Sequence, residues 1–145
     1  MEERRLSILE RNGVKVLSPE NIFISEEVDL SRIKGCIIYP GCKIFGKDTL
    51  ILEGSELGRE GGVTLEDCQL GRNVKFKGGY AKRSTFLEGV EIGLGAHIRE
   101  GCLLEEGSRV AHTVGLKQTI LFPFVTLGSL INFCDCLMAG GTDPK

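Results

Sequence analysis

The chain has 145 residues, 18 basic and 20 acidic for a net charge of −2, with 20 glycines, four prolines, no tryptophan and 6% aromatic residues. That length suits one domain with its own core. The near-neutral balance excludes a general nucleic-acid surface, because phosphate binding draws on a clustered excess of Lys and Arg.

Residues 2–11 are charged, with Leu6 and Leu9 on one side, and predict a short helix ending near Asn12-Gly13. Nothing at this end has the charged, apolar, then small pattern of a signal peptide. Residues 13–24 (Gly-Val-Lys-Val-Leu-Ser-Pro-Glu-Asn-Ile-Phe-Ile) then lead into a first repeat around Val28 and Leu30. Residues 1–27 are read as a cap and 28–145 as a solenoid, since a stacked fold must cover its open end.

Through the middle every sixth residue is apolar: Cys68, Val74, Tyr80, Phe86, Ile92, Ile98, Leu104 and Val110. Four of these hexads carry glycine three places later, at Gly89, Gly95, Gly101 and Gly107, each followed by a small or short residue. Helices repeat every 3.6 residues and strands every 2, so neither alone explains this period. A six-residue repeat reads as a parallel β-helix, each hexad being one flat strand and a turn. Three hexads close a triangular coil, so residues eighteen apart stack. Val74, Ile92 and Val110 are expected in one inward column, and Cys68, Phe86 and Leu104 in a second. Upstream the phase runs through Ile38 and Ile44, then Ile51, Leu57 and Val63 after one extra residue, with a short step to Cys68. Such slips predict loops at coil corners.

The six cysteines lack zinc spacing: there is no Cys-x-x-Cys, and Cys134-Asp135-Cys136 supplies too few ligands. All are expected to be buried or half-buried thiols of a reduced, cytosolic protein, Cys42 and Cys102 beside hexad glycines and Cys68 facing inward. Gly93-Leu94-Gly95 reads as corner glycines, because no helix follows and no Gly-Lys-Ser/Thr occurs. Residues 119–141 are almost uncharged, yet Pro123, Asn132, Asp135 and several glycines make a poor membrane span. They predict final coils with an apolar outside. Phe122-Pro123-Phe124 and Phe133 either fill the core or project as a self-association patch. No capping helix follows Gly140, so the last coil is expected to be covered by a partner or continued in a longer chain, the second being favoured.

With these features the sequence resembles the hexapeptide-repeat sugar acyltransferases. It is most similar to the β-helix domain of the bifunctional glucosamine-1-phosphate acetyltransferases and N-acetylglucosamine-1-phosphate uridyltransferases. The resemblance runs from Gly13 onward. It is carried by the phrase from Gly13-Val14 through Pro19-Glu20 to Ile24, by Ile38-Tyr39-Pro40-Gly41-Cys42, and by Gly95-Ala96-His97-Ile98-Arg99-Glu100-Gly101. It implies an all-β, left-handed parallel β-helix with a short helical and extended N-terminal cap, and a homotrimer with sites between subunits. In that trimer the aromatic run is expected to be partly buried. The family's nucleotidyltransferase half, a separate α/β domain with a glycine-rich loop, has no match here, so uridyl transfer by this chain is not expected.

In the family, an arginine in an Arg-hydrophobic-Arg-Pro-Gly phrase and a lysine one coil later hold the sugar phosphate. Arg99 and Lys117 match them. Eighteen residues apart, they are expected to stack at one corner, the guanidinium giving bidentate contacts and the ammonium a point charge. The plainer alternative is two surface cations balancing Glu100, Glu105 or Glu106. The family's catalytic histidine falls at Gly128-Ser129, and a serine without a neighbouring base does not deprotonate an amine near neutral pH. Asn132 likewise stands where the family has a sugar-binding tyrosine. Of the two histidines present, His112 is the first candidate base, expected outside the inward column and near the Lys117 corner. His97, the outward neighbour of Ile98, is the second.

Two readings result. In the first the chain is an enzyme, or an enzyme relative, of UDP-N-acetylglucosamine metabolism. It binds a sugar phosphate or UDP-sugar at Arg99, Lys117, Ser129 and Asn132, with acyl-coenzyme A (acetyl-coenzyme A) as donor, His112 as base and no metal. In the second it is a non-catalytic trimerising module that binds the ligand or holds a partner nucleotidyltransferase, a reading favoured by serine at 129. Both place it in the cytoplasm, without nucleic-acid or membrane partners.

Overall fold

Strands of two to four residues cannot bury an apolar face alone, so each must stack on the next turn of the chain. In the computed structural model, which describes residues 1–145 throughout, the chain winds into a three-sided parallel β-helix with sheets of seven, seven and six strands. The first side holds Lys15–Val16, Ile37–Ile38, Glu56–Leu57, Lys75–Phe76, Glu91–Ile92, Arg109–Val110 and Thr126–Leu127. The second holds Phe23–Ile24, Lys43–Phe45, Val63–Glu66, Gly79–Lys82, Ala96–Ile98, Gly115–Lys117 and Asn132–Cys134. The third runs from Leu50–Ile51 to Leu137–Met138. The all-β parallel β-helix read from the hexads is thus what the chain forms.

Each strand sends two residues inward, because side chains alternate with a period of two. A large one sits on the strand and a smaller one two places earlier, at the corner. On the first side Ile38, Leu57, Phe76, Ile92, Val110 and Leu127 stack in register. Cys36, Ser55, Val74, Val90, Ser108 and Val125 fill the corner beside them, all buried. Phe76 meets Phe86 of the third side edge-on, with ring centroids 6.0 Å apart at 72°. That is a favoured aromatic geometry across the interior. Each large inward side chain contributes about 1.5–3 kcal/mol by burial.

This double occupancy corrects the predicted columns. Ile92 stacks on Phe76, not on Val74, and Phe86 stacks on Leu70, not on Cys68. Val74 and Cys68 are buried, but at the corner positions. Tyr80 is not inward at all. Ala81 is the buried residue of that strand and Tyr80 faces out, half-buried. The reason is two short steps, from Phe76 to Ala81 and from Ala81 to Phe86. A count of six passes from the corner set to the strand set there without losing its apolar character.

The corner column of the third side is closed by hydrogen bonds as well as by packing. The Ser84 hydroxyl lies 3.0 Å from the carbonyls of both Lys82 and Arg99, and it accepts the N–H of Cys102 at 3.3 Å. Thr119 donates to the carbonyl of Lys117 at 2.9 Å. Cys36, Cys42, Cys68 and Cys102 are buried and free, Cys136 is half-buried, and Cys134 is exposed. The expectation of six sheltered thiols therefore fails at Cys134. It continues the outward corner register of Lys117. Burial pushes the Cys36 thiol up to about 12 and Cys68 to about 11.

The predicted helix is present as Glu3–Arg11, followed by Asn12 and by Gly13 at φ 78. It buries Leu9 completely, and with it Arg5. The Arg5 guanidinium donates to the carbonyls of Ile24 and Ser25, the latter at 3.0 Å. Those are backbone groups at the open end of the second side, so the helix satisfies acceptors there as well as covering carbon. Within residues 1–27, Lys15–Val16 and Phe23–Ile24 are already paired strands of the solenoid. No helix of the chain is long and apolar enough to cross a membrane.

Candidate functional site

The second-side strands Ala96–Ile98, Gly115–Lys117 and Asn132–Cys134, with the corners that flank them, carry every residue singled out from the sequence, at three places across that side. At the end near the third side, the register Ala81↔Ile98↔Leu116 places Lys82, Arg99 and Lys117 one above another, with Cys134 next to Lys117. The Arg99 N–H donates to the Leu116 carbonyl at 2.7 Å, which holds the two coils in step. Lys82 is paired with Glu66 at 3.3 Å. No ion pair of the chain engages Arg99 or Lys117. One residue round the corner, Glu100 is held below the usual carboxylate range, first by its own backbone N–H and then by the charges of Arg99, Lys117 and Lys82. Three cations of adjacent coils, one of them paired with Glu66, thus share this corner with the Glu100 carboxylate.

At the middle of the strands, the outward residues are Thr64, Tyr80, His97, Gly115 and Asn132, in register. The rings of Tyr80 and His97 are stacked, with centroids 4.8 Å apart and planes 17° from parallel. Asn132 is exposed and belongs to the last strand of this side.

The opposite end is the corner toward the first side. His112 is exposed there, its Nδ1 3.3 Å from Thr113 Oγ1. Ser129 is exposed at the same corner one coil later. His112 also borders an open groove of about 440 Å3 on the first side, with Glu60, Leu94, Arg109 and Thr126. The Arg109 and Glu91 side chains close into an ion pair at 2.9 Å across its floor.

The structure brings Arg99 and Lys117 together, as their spacing predicts. It does not place His112 beside Lys117. His112 sits in the turn that precedes strand Gly115–Lys117, at the corner toward the first side, and Lys117 ends that strand at the corner toward the third. His97 lies between them. A molecule laid along this face would meet cations at one end, an aromatic pair and a carboxamide in the middle, and an imidazole or a hydroxyl at the other end. Sequence reasoning missed Lys82, whose coil is one residue shorter than the eighteen used to find Arg99 and Lys117. It also missed the outward turn of Tyr80.

Fold and site together define a hexapeptide-repeat β-helix with a cationic corner. No protein-family model matches the chain. Among individual proteins, it is 30% identical over 118 residues to the bifunctional protein GlmU of Thermotoga maritima, 81% of this chain and 25% of that protein. GlmU of Streptococcus agalactiae is 31% identical over 140 residues, 90% of this chain and 29% of that one. GlmU of a Geobacillus species is 32% identical over 108 residues, 74% and 22%. The resemblance read from residue 13 onward is thus borne out: the chain is a relative of the GlmU proteins. It spans about a quarter of the length of these relatives.

Proposed function

We propose that this chain is an acyltransferase-like, ligand-binding module of UDP-N-acetylglucosamine metabolism. It holds a sugar phosphate or UDP-sugar along the second side of the β-helix, with the phosphate at Arg99 and Lys117. One observation carries the reading: two cations without ion-pair partners, stacked in register on adjacent coils. Guanidinium and ammonium groups so placed offer bidentate and point-charge contacts to one phosphate. Ser129 and Asn132 line the rest of the face in this proposal. The protein works as a cytoplasmic homotrimer whose neighbouring subunit completes the groove.

Acyl transfer in this reading takes acetyl-coenzyme A as donor. His112 accepts a proton from the acceptor amine as its nitrogen attacks the thioester carbonyl. The amide bond forms, the C–S bond breaks, and the proton passes to the departing thiolate of coenzyme A. A second reading has a specific observation in its favour. Serine occupies position 129 where the family keeps its base, which suits a non-catalytic module that trimerises and holds a partner nucleotidyltransferase.

Calorimetric titration with glucosamine 1-phosphate, UDP-N-acetylglucosamine and acetyl-coenzyme A tests both. Sugar-phosphate binding that disappears in the Arg99→Ala, Lys117→Ala double variant supports the site. No binding of any of the three by the intact protein sinks it. Release of free coenzyme A thiol in the presence of amino-sugar phosphate decides between enzyme and module.

A further inference from the structure

The outer faces of the solenoid differ in kind. On the first side one outward row reads Glu56, Lys75, Glu91 and Arg109, a ladder of alternating charge. On the third side the row in register reads Leu50, Gln69, Thr85, Leu103, Ile120 and Leu137. Two residues further along each strand, a second outward row reads Leu52, Gly71, Leu87, Glu105 and Phe122. Glu105 is the one charged residue in these two rows, and Phe122 and Leu137 are 38% and 58% exposed. The two polar side chains of the first row are engaged within the chain. Thr85 donates to Gln69 Oε1 at 2.9 Å, and Gln69 Nε2 donates to the Asp48 carbonyl at 2.9 Å. Six strands at their usual spacing make the face about 24 Å tall. A flat, contiguous apolar surface of this kind marks an interaction site.

We infer that the third side is buried against a second copy of this chain, lying with its axis parallel and its coils at equal height. Two observations choose that occupant. Ridges of side chains repeating at the strand spacing interlock with ridges of the same spacing, which another β-helix presents. The corners flanking the face also carry opposite charges, coil by coil. On the coil of Leu70, Asp67 stands at the corner toward the second side and Arg72 at the corner toward the first. On the coil of Phe86, Arg83 and Glu88 hold those two places with the signs exchanged. Parallel axes at equal height bring the first corner of one copy to the second corner of its neighbour, so Asp67 meets Arg72 and Arg83 meets Glu88. Antiparallel axes bring each corner to its own kind, and the match is lost. Arg72 already has Glu53 at 3.6 Å, whereas neither Arg83 nor Glu88 is in an ion pair of its own chain. One coil on, Glu100 meets Glu106, and Arg99 and Lys117, whose charges act on Glu100, stand at that seam. This rests on the self-association proposed above and names its face and direction. It also sets the Arg99–Lys117 corner at the boundary between copies.

The test is sedimentation of the full chain over a concentration series, without ligand. The wild type should sediment as an oligomer. Ile120→Asp, within the apolar row, should raise the dissociation constant about thirtyfold or more. Arg83→Glu and Glu88→Arg should each raise it about three- to tenfold by setting like charges across the seam. The double variant Arg83→Glu, Glu88→Arg should return to wild-type association. Within one chain the strand Thr85–Phe86 separates these two residues, so only a neighbour brings them together. Both are exposed, so these variants decide the matter if Ile120→Asp fails to fold. A monomeric wild type overturns the interface, as does a folded Ile120→Asp protein that assembles as tightly as the wild type. A double variant no tighter than the single ones overturns the parallel direction. Titration with glucosamine 1-phosphate separates this from the phosphate site: a monomer that binds it loses the interface alone, and an oligomer that does not bind it loses the phosphate site alone.

Discussion

His112 and Ser129 hold the same place in successive coils. The N–H of Leu130 donates to the His112 carbonyl at 3.2 Å, and the next residues, Thr113 and Leu130, share the left-handed conformation at φ 56 and 62. Ser129 and the candidate base His112 are therefore one coil apart at one corner, not on different faces. If acyl transfer runs through His112, His112→Asn lowers kcat by about 10²–10⁴-fold with little change in KM. Ser129→His in that background returns part of the activity. A His112→Asn protein as active as the wild type excludes this imidazole as the base.

The cation corner makes a second expectation. Each of Arg99→Ala and Lys117→Ala should remove a charge-assisted contact of about 1.5–3 kcal/mol, or roughly 10–100-fold in Kd for glucosamine 1-phosphate. Lys82→Ala should matter less, because Glu66 already neutralises that ammonium. Equal effects at all three positions would point to diffuse attraction and not to a defined phosphate seat.

Two serines in equivalent corner positions should respond in opposite directions. Ser108 is buried and its hydroxyl has no hydrogen-bond partner, whereas its column neighbours are Val90 and Val125. Ser108→Ala should therefore raise Tm, by roughly 2–4 °C for about 1 kcal/mol recovered. Ser84→Ala strands the N–H of Cys102 and should cost about 1–3 kcal/mol. Thermal melts of the two variants check both signs.

Arg5 is the residue that fastens the cap. Arg5→Met keeps much of the buried carbon but leaves the carbonyls of Ile24 and Ser25 without their guanidinium donors. A loss of about 1.5–3 kcal/mol is expected, with faster hydrogen exchange in Lys43–Phe45, the strand paired with Phe23–Ile24. Exchange that speeds up only inside the helix would mean the cap contributes by covering carbon alone.

The thiols fix a pH dependence. Cys36 and Cys68 are raised by burial from 9.0 to about 12 and about 11, so the folded chain keeps their protons where the unfolded chain loses them. Their contribution to stability is fully present below pH 9.0 and is lost as pH rises through about 11 and then about 12. Near neutral pH a thiol reagent should modify Cys134 quickly, Cys136 slowly, and the other four only on unfolding. Urea titration at pH 8 and pH 10 and a timed labelling series measure these.

The architecture could be read from the chain because a hexad imposes its period wherever it is repeated: glycines such as Gly95 and Gly101 do sit at left-handed corners, at φ 82 and 84. The stacking of Arg99 on Lys117 could be read for the same reason, since their coil has the full eighteen residues. Tyr80 could not be placed, because a strand offers two inward positions and an apolar residue two places away satisfies the count equally well. Lys82 was hidden by a coil one residue short.

What the sequence determined, then, is whatever depends on neighbours along the chain: the six-residue repeat, the glycine corners and the short N-terminal helix. The tertiary structure decided what depends on which way a strand faces and what meets it from another coil. Arg5 reads as one more charge on a solvated helix until the helix lies over two open carbonyls. His112 and Lys117, five residues apart, read as neighbours until the second side, with strand Gly115–Lys117, separates their two corners.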